Sequence, residues 1–176
     1  MMNGSKTLLR IPDLTDVPFM LGIENDKRYW HLSGTTEPYT EEELQDFVTG
    51  STANLQHDKQ VRFVIFDIAS KQRAGLIDVF EYDAQNSRAG LGVLIIDEYR
   101  NKGLAGDAIH VLLQYLFEVL NLHQVWANVL HDNEASIKLF TAAGFEITCI
   151  KKEWIFFNNK FHDEVLMQCL NRKHSL

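Results

Sequence analysis

The sequence lacks the compositional features that are typical of disordered or fibrous proteins. It has only three prolines in 176 residues, and 45% of its residues are hydrophobic, which is ordinary globular composition. No repeat, low-complexity segment or linker interrupts it. We therefore expect a single domain spanning residues 1–176, which is long enough to bury a proper core.

Cysteine is also scarce. The two cysteines, Cys149 and Cys169, lie in apolar stretches typical of strands, which predicts reduced, buried thiols in a cytoplasmic protein rather than a disulfide scaffold. The first ten residues lack an apolar signal core, and no hydrophobic run approaches the length of a membrane span. We expect a cytoplasmic location and no membrane partner.

Positive charge is the minority sign, with 17 Lys and Arg against 24 Asp and Glu and a net charge of −7. This balance argues against a nucleic-acid partner and is compatible with a cationic substrate. The seven histidines show no metal-ligand spacing, and no Cys-x-x-Cys is present, so we expect no metal. Ser51 and Ser136 have no nearby His and Asp, so a hydrolase triad is not supported.

The most informative stretch is 97–120, which follows the apolar run 91–96. Residues 100–105 form a basic turn that contains Gly103 and opens into a helix with apolar residues at i, i+3, i+4 and i+7 spacing. A strand that ends in such a turn favours anion binding, because the first helical N–H groups have no internal partners. The alternative is an ordinary connection with solvated charges. Walker and dinucleotide fingerprints are absent.

Two motifs separate these alternatives. Arg100-x-x-Gly103-x-Ala105 resembles the acetyl-CoA pyrophosphate loop of the GNAT acetyltransferases. The segment from Asn133 to Phe140, followed by 143–145 (Ala-Gly-Phe), resembles the second CoA motif of that superfamily. The resemblance covers nearly the whole chain. It implies an α+β fold, with a mixed, mostly antiparallel central sheet and helices on both faces, and acetyl-CoA as the co-substrate.

Residue patterns place the elements of this fold. Strands are predicted at 8–11, 61–68, 74–82, 88–96, 124–130, 145–157 and 165–170. Helices are predicted from Asp13 or Thr15 to about residue 25, from the capping box of Thr40 and Glu43, from the basic turn to residue 120, and after Asn133. The long helix makes strands 88–96 and 124–130 parallel neighbours.

The resemblance also implies a cofactor site. The two parallel strands are expected to separate, so that the pantetheine arm lies between them on exposed backbone. The backbone contacts fall on Val93, Leu94 and Ile95. The pyrophosphate contacts fall on Arg100, Asn101, Lys102, Gly103, Leu104 and Ala105. Asn133, Ser136 and Phe140 flank the rest of the arm.

A narrower resemblance, to the bacterial spermidine N-acetyltransferases, rests on residues 28–30, 37–39, 99–105, 115–117, 119–122 and 153–161. Enzymes that acetylate ribosomal-protein N-termini share much of this pattern. The implied activity is acetyl transfer from acetyl-CoA to a primary amine, with a polyamine such as spermidine or spermine as the first candidate. One alternative acceptor is a protein N-terminus. Another reading is a catalytically weak CoA-binding module. The apolar segment 154–157 suggests a homo-oligomer, dimer or larger.

The acid–base chemistry is less defined. The amine needs a carboxylate base, and many relatives carry one where this chain has Gly90. Asp78 and Glu81 remain as candidates, with Glu37 from the front loop. A regular strand points Asp78 and Glu81 to opposite faces unless a bulge intervenes. Phe140 replaces the usual tyrosine acid, so Tyr82 or Tyr39 substitutes, or the thiolate leaves unassisted.

The acceptor site is expected near the start of the second helix. Glu37, Tyr39 and Glu41 belong to an acidic cluster there, which suits a long cation. The alternative is a solvated first helical turn that complements the helix dipole.

Overall fold

An eight-stranded sheet forms the centre of the molecule. The computed structural model describes residues 1–174. The strands are β1 Met2–Asn3, β2 Thr7–Arg10, β3 Val61–Asp67, β4 Gln72–Asp83, β5 Arg88–Ile95, β6 Gln124–Leu130, β7 Glu146–Phe157 and β8 Lys160–Leu170. Their order is β1-β2-β3-β4-β5-β6-β8-β7, and every pair is antiparallel except β5–β6. The predicted mixed, mostly antiparallel sheet is confirmed.

Helices cover both faces of this sheet, as predicted. They are α1 Val17–Glu24, α2 Trp30–Ser33, α3 Glu41–Gly50, α4 Leu55–Asp58, α5 Leu104–Gln114 and α6 Glu134–Ala142. The larger core cluster packs α5 and α6 against one face, and a smaller cluster packs α1 and α3 against the other. Within residues 1–174, no helix combines the length and apolar character needed to cross a bilayer.

Side-chain caps fix the beginnings of the front helices. The Asp13 carboxylate accepts from the Thr15 backbone N–H, and Asp16 reaches back to Asp13, just before α1. At α3, Thr40 and Glu43 form the predicted capping box. Each pair satisfies backbone donors that the first helical turn leaves without partners.

The long helix after the basic turn differs from its prediction. The α-helix ends at Gln114, and residues Tyr115–Val119 form a wider π-helical turn, in which the Leu120 N–H donates to the Tyr115 carbonyl. The predicted apolar stripe is buried, with Ala108, Ile109 and Leu112 fully inaccessible. The stripe therefore predicted the buried face but not the change in helical pitch.

The C-terminal hairpin of β7 and β8 contains a second difference. Strand β8 begins at Lys160 and not at residue 165, because its first residues pair with the end of β7. Cys149 was predicted to be buried but is exposed, since β7 is the outermost strand and pairs only with β8. Cys169 is buried, which raises the pKa of its thiol. Both cysteines are free.

Candidate active site

The parallel strands β5 and β6 separate after a short contact. Their pairing joins Arg88 to Gln124, Ala89 to Val125 and Gly90 to Trp126, and no further pair is formed along these fully described strands. We call the space between residues 91–95 of β5 and 127–130 of β6 the gap. Along it, the β5 edge that faces β6 has no strand partner, which leaves backbone groups for a ligand to bind.

The basic turn of residues 100–105 lies beyond the C-terminal end of β5. Asn101 and Gly103 have positive φ values of 60° and 80°, and Gly103 is the N-cap of α5. Gly103 has no side chain to cap the helix, so the first N–H groups of α5 remain available to an anion. Leu104 is buried and anchors the turn, while Ala105 packs against the core.

Three cations surround this turn. Arg100 pairs with Asp97 at 3.0 Å, and the Lys102 ammonium lies 4.3 Å from the centre of the Tyr99 ring. The third is Lys6, whose ammonium donates to the Lys102 carbonyl at 3.1 Å. Sequence analysis missed Lys6, because nothing in its neighbourhood signals that β2 brings it beside α5.

The second motif is placed on α6. The Asn133 side chain accepts from the Ser136 N–H at 3.1 Å and so caps this helix. Phe140 is buried, with its ring edge-on to Phe145 at 5.0 Å between centroids. Because Phe140 has no hydroxyl, any proton donor to a leaving thiolate must come from another residue.

A cleft of about 1500 Å³ adjoins the gap on the sheet face that carries α1 and α3. Val93 and Leu94 line it, whereas Ile95 belongs to the core and its carbonyl accepts from Arg100. Five carboxylates and three Lys or Arg side chains line the cleft. The excess of negative charge favours a cationic ligand.

Four of these five carboxylates already have partners. Asp78 accepts two hydrogen bonds from Arg62, at 2.7 and 3.0 Å, and Glu24 pairs with the same guanidinium. Burial works to lower the pKa of Arg62, but the charges of Asp78 and Glu24 outweigh it, and the pKa lies above its usual value. Glu164 pairs with Lys151 at 2.7 Å, and Glu43 accepts from Thr40.

Glu81 is the remaining carboxylate. It has no hydrogen-bond or ion-pair partner among the described side chains, which are those of residues 1–31 and 34–173. The register of β4 against β5 shifts between Phe80 and Asp83, and Glu81 has a φ of 49°. This bulge brings Glu81 to the same cleft as Asp78, which a regular strand would not do. Sequence analysis expected the two side chains on opposite faces unless a bulge intervened, and the structure contains that bulge.

The tyrosines divide between two environments. Tyr82 does not line the cleft; it packs against the larger core cluster, with the Lys59 ammonium 5.6 Å from its ring centre. Tyr39 does line the cleft, and its backbone is held by Asn25 at 2.8 and 2.9 Å.

Tyr29 also lines the cleft, and sequence analysis did not single it out. Its hydroxyl lies 3.3 Å from Asp97 and 3.3 Å from Arg100. Burial is the main cause that raises its pKa, so the hydroxyl keeps its proton at neutral pH. Arg28 also donates to Asp97, at 2.7 Å, and these contacts join the front of the chain to the basic turn.

The predicted acidic cluster lies mostly outside the cleft. Glu37 and Glu41 are exposed and do not line it, and Glu41 accepts from Gln45 on the same helix. Glu43 does line the cleft, but its hydrogen bonds with Thr40 lower the pKa of its carboxyl. Of the three residues expected to bind the acceptor, only Tyr39 faces the cleft.

Comparison with known proteins now gives the family. The family profile described as "Acetyltransferase (GNAT) domain" matches residues 6–146, which include the gap, the basic turn and α6. This chain belongs to the GNAT acetyltransferase family. Membership of that family makes it an N-acetyltransferase, as predicted.

Several characterised members are similar along almost their full length. The spermidine N(1)-acetyltransferase of Vibrio cholerae is 28% identical over 175 residues, covering 97% of this chain and 96% of that protein. A crystal structure of the Vibrio cholerae spermidine N-acetyltransferase in complex with CoA and spermine superposes with a TM-score of 0.84 and 28% identity, covering 96% of this chain and 98% of the other.

Two further structures of the Vibrio cholerae enzyme bear on assembly and metals. One is dodecameric, with a TM-score of 0.80 and 28% identity, covering 97% of this chain and 96% of that one. The other is a complex with manganese ions, with a TM-score of 0.78 and 29% identity, covering 97% and 95%. No group of three or more His, Cys, Asp or Glu side chains suited to a metal occurs among the side chains that the structure describes, those of residues 1–31 and 34–173. The absence of a metal stays a prediction.

Proposed function

We propose that this GNAT acetyltransferase uses acetyl-CoA to acetylate a primary amine of a polyamine such as spermidine or spermine. The observation that carries the proposal is the unpartnered Glu81 carboxylate in an acidic cleft that adjoins the open gap. The basic turn supports acetyl-CoA as the co-substrate, because its free helical N–H groups and three nearby cations suit a pyrophosphate.

Each part of the site has a task in this reaction. Acetyl-CoA would supply a thioester carbonyl that an amine can attack. The new C–N bond replaces the C–S bond, and CoA leaves as a thiolate, either unassisted or protonated by a hydroxyl such as that of Tyr39. Glu81 accepts the proton that the ammonium of the acceptor must lose before it becomes a nucleophile. The backbone N–H groups of Val93 or Leu94 stabilise the negative charge that develops on the carbonyl oxygen. Asp78 is the weaker base candidate, since Arg62 holds both its oxygens.

The polyamine acceptor is supported by charge and by similarity. The cleft carries more carboxylates than Lys and Arg side chains, and a polyamine has several ammonium groups. The Vibrio cholerae enzyme whose crystal structure contains CoA and spermine resembles this chain along nearly all of its length. Tyr39 and Tyr29 supply hydroxyls on the cleft surface that can orient the acceptor.

The decisive experiment measures CoA release from acetyl-CoA with spermidine, spermine, an aminoglycoside and a short peptide with a free N-terminus. We expect turnover of the polyamines, and we expect Glu81→Gln to lower kcat by about 100-fold or more without weakening acetyl-CoA binding. The control is Glu134→Gln, which removes the same charge from an exposed carboxylate on α6. Wild-type kcat in Glu81→Gln would contradict the role of this residue.

Other outcomes select the alternatives. Turnover of the peptide alone would identify a protein N-terminal acetyltransferase. Acetyl-CoA binding without turnover of any amine would indicate a weak CoA-binding module, which is the reading that the phenylalanine at Phe140 favours.

A homo-oligomer forms part of the proposal. Exposed aromatic side chains cluster on the hairpin of β7 and β8, where Trp154, Phe156 and Phe161 are about 60% exposed. Such a patch is typical of a subunit contact. The dodecameric structure of the similar Vibrio cholerae enzyme supports assembly of this kind.

A further inference from the structure

Two aromatic rings meet over Gly90 at the inner end of the gap. Phe80 on β4, Gly90 on β5 and Trp126 on β6 are paired across the sheet. The Phe80 and Trp126 rings stand edge to face, with centroids 5.1 Å apart. We call this pair the aromatic bridge. A Cβ added to Gly90 would lie 2.4 Å from the Phe80 ring, so only glycine leaves room for the bridge.

The aromatic bridge has a defined place relative to the cofactor site. Gly90 and Trp126 are the last pair that joins β5 to β6, and the gap begins with the next residue of each strand. The basic turn lies at the opposite end of β5. Ile95 lies five positions after Gly90, which is about 16 Å of strand. An arm that enters from the basic turn therefore points its far end toward the aromatic bridge.

We propose that the aromatic bridge closes the inner end of the gap and sets the length of acyl chain that the enzyme accepts. The proposal rests on acyl-CoA binding in the gap, as described under the proposed function. Phe80 lines the cleft, and its ring presents an apolar surface without a hydrogen-bonding group. An acetyl methyl can pack against this surface, whereas each added methylene needs space that the ring occupies.

The test measures the dissociation constants of acetyl-CoA, propionyl-CoA, butyryl-CoA and free CoA by calorimetry, together with kcat/KM for each thioester. In the wild type we expect butyryl-CoA to bind at least tenfold more weakly than acetyl-CoA. Phe80→Ala should reduce this ratio by about tenfold or more, since one methylene in an apolar pocket changes discrimination by about 10 to 200-fold. Binding of free CoA should not change.

A matched control separates the aromatic bridge from the cleft in general. Phe47 lies on α3 and also lines the cleft, but it is not part of the aromatic bridge; the Arg62 guanidinium lies 5.5 Å from its ring. Phe47→Ala removes the same side chain and should leave the ratio of butyryl-CoA to acetyl-CoA unchanged. If Phe80→Ala fails to fold, Phe80→Leu provides a smaller change, with the same expected direction.

A second pair of variants tests the contact with Gly90. Gly90→Ala must displace the Phe80 ring, so it should weaken binding of acetyl-CoA as well as the longer thioesters. In the Phe80→Ala, Gly90→Ala double variant the clash is gone, and binding should return to that of Phe80→Ala alone. An unchanged ratio in Phe80→Ala, or a neutral Gly90→Ala, would overturn the proposal.

Thioester binding does not depend on the acceptor, so the two proposals fail separately. If no polyamine is acetylated but the dissociation constants shift as described, the aromatic bridge stands and the proposed acceptor is wrong. If polyamines are acetylated but Phe80→Ala leaves the ratio of butyryl-CoA to acetyl-CoA binding unchanged, the proposed acceptor stands and the role of the aromatic bridge is wrong.

Discussion

Asp107 shows how a single side chain positions the basic turn. Its carboxylate accepts hydrogen bonds from the backbone or hydroxyl groups of Ser5, Lys6 and Thr7, at 2.6 to 3.1 Å. These contacts tie residues 5–7, at the start of β2, to the first turn of α5. The Lys6 ammonium is thereby held beside Lys102 and Gly103.

Stability in acid should depend on Asp107. Burial alone would raise the pKa of its carboxyl, but the hydrogen bonds from residues 5–7 outweigh burial and lower the pKa from 3.8 to about 2. Because the folded-state pKa is depressed, the carboxylate stabilises the fold above about pH 4, and this contribution is lost as the pH falls toward 2. Asp107→Asn should therefore cost about 1–3 kcal/mol at pH 7.

The measurement is urea unfolding of wild type and Asp107→Asn at several pH values from 7 down to the acid limit of folding. The difference in unfolding free energy between them should shrink as the pH falls below 4. A difference that stays constant with pH would show that the variant acts through packing and not through the charge of the carboxylate.

At the scale of elements, the turn between β5 and α5 depends on Gly103. Its φ is 80°, and an added Cβ would lie 2.8 Å from the Lys6 ammonium. Gly103→Ala should therefore strain the turn, displace Lys6 and weaken acetyl-CoA binding by about tenfold, which corresponds to about 1.4 kcal/mol. Calorimetric titration with acetyl-CoA measures this change.

Gly106, in the first turn of the same helix, provides the control. A Cβ there would meet only Leu139, at an ordinary contact distance of 3.8 Å. Gly106→Ala should raise the thermal stability slightly, because alanine favours the helix by about 1 kcal/mol over glycine, and should leave acetyl-CoA affinity unchanged. Equal losses of affinity in both variants would count against a special conformation at Gly103.

Most elements of this fold could be predicted, because their apolar spacing and caps are local. The capping box of Thr40, the strand Gln124–Leu130 and the parallel crossover follow from residues close together in sequence. The β-bulge at Glu81 and the π-helical turn after Gln114 could not be predicted, since each depends on how neighbouring elements pair and pack.

The candidate site was predicted less completely than the fold. The basic turn carries a local motif and is located by sequence. Lys6 directly precedes β2 and reaches the basic turn from a distant part of the sequence. The aromatic bridge likewise joins residues of separate strands, so neither contact is visible before the order of strands in the sheet is known. Glu37 and Glu41 were predicted to bind the acceptor but do not line the cleft. A cluster of acidic residues near the start of a helix can be read from the sequence, but the direction in which its side chains point cannot.

At the scale of the whole molecule, the front of the chain and the final hairpin meet across the cleft. His31 of α2 stacks on Phe157 of β7 at 4.5 Å, and Phe157 stacks on His162 of β8 at 3.7 Å. Burial and the neighbouring His162 lower the pKa of His31, so it is mainly neutral at pH 7. The hairpin thus lines the cleft, and two of its lining side chains, Trp154 and Phe156, also remain mostly exposed, as does Phe161 outside the cleft.

These exposed aromatic side chains should control assembly. Phe156 and Phe161 contact each other, with ring centroids 4.9 Å apart, and remain 60% and 59% exposed. Burying a phenylalanine in an interface contributes about 1.5–3 kcal/mol. Replacing both by serine should therefore weaken subunit association by about 100-fold or more, and sedimentation velocity should show a smaller species than the wild type at the same concentration.

Val119→Ser is the control, because Val119 is 67% exposed but lies on the turn after α5, away from the hairpin. If the double variant sediments like the wild type, or if Val119→Ser dissociates to the same extent, the subunit contact does not lie on the hairpin.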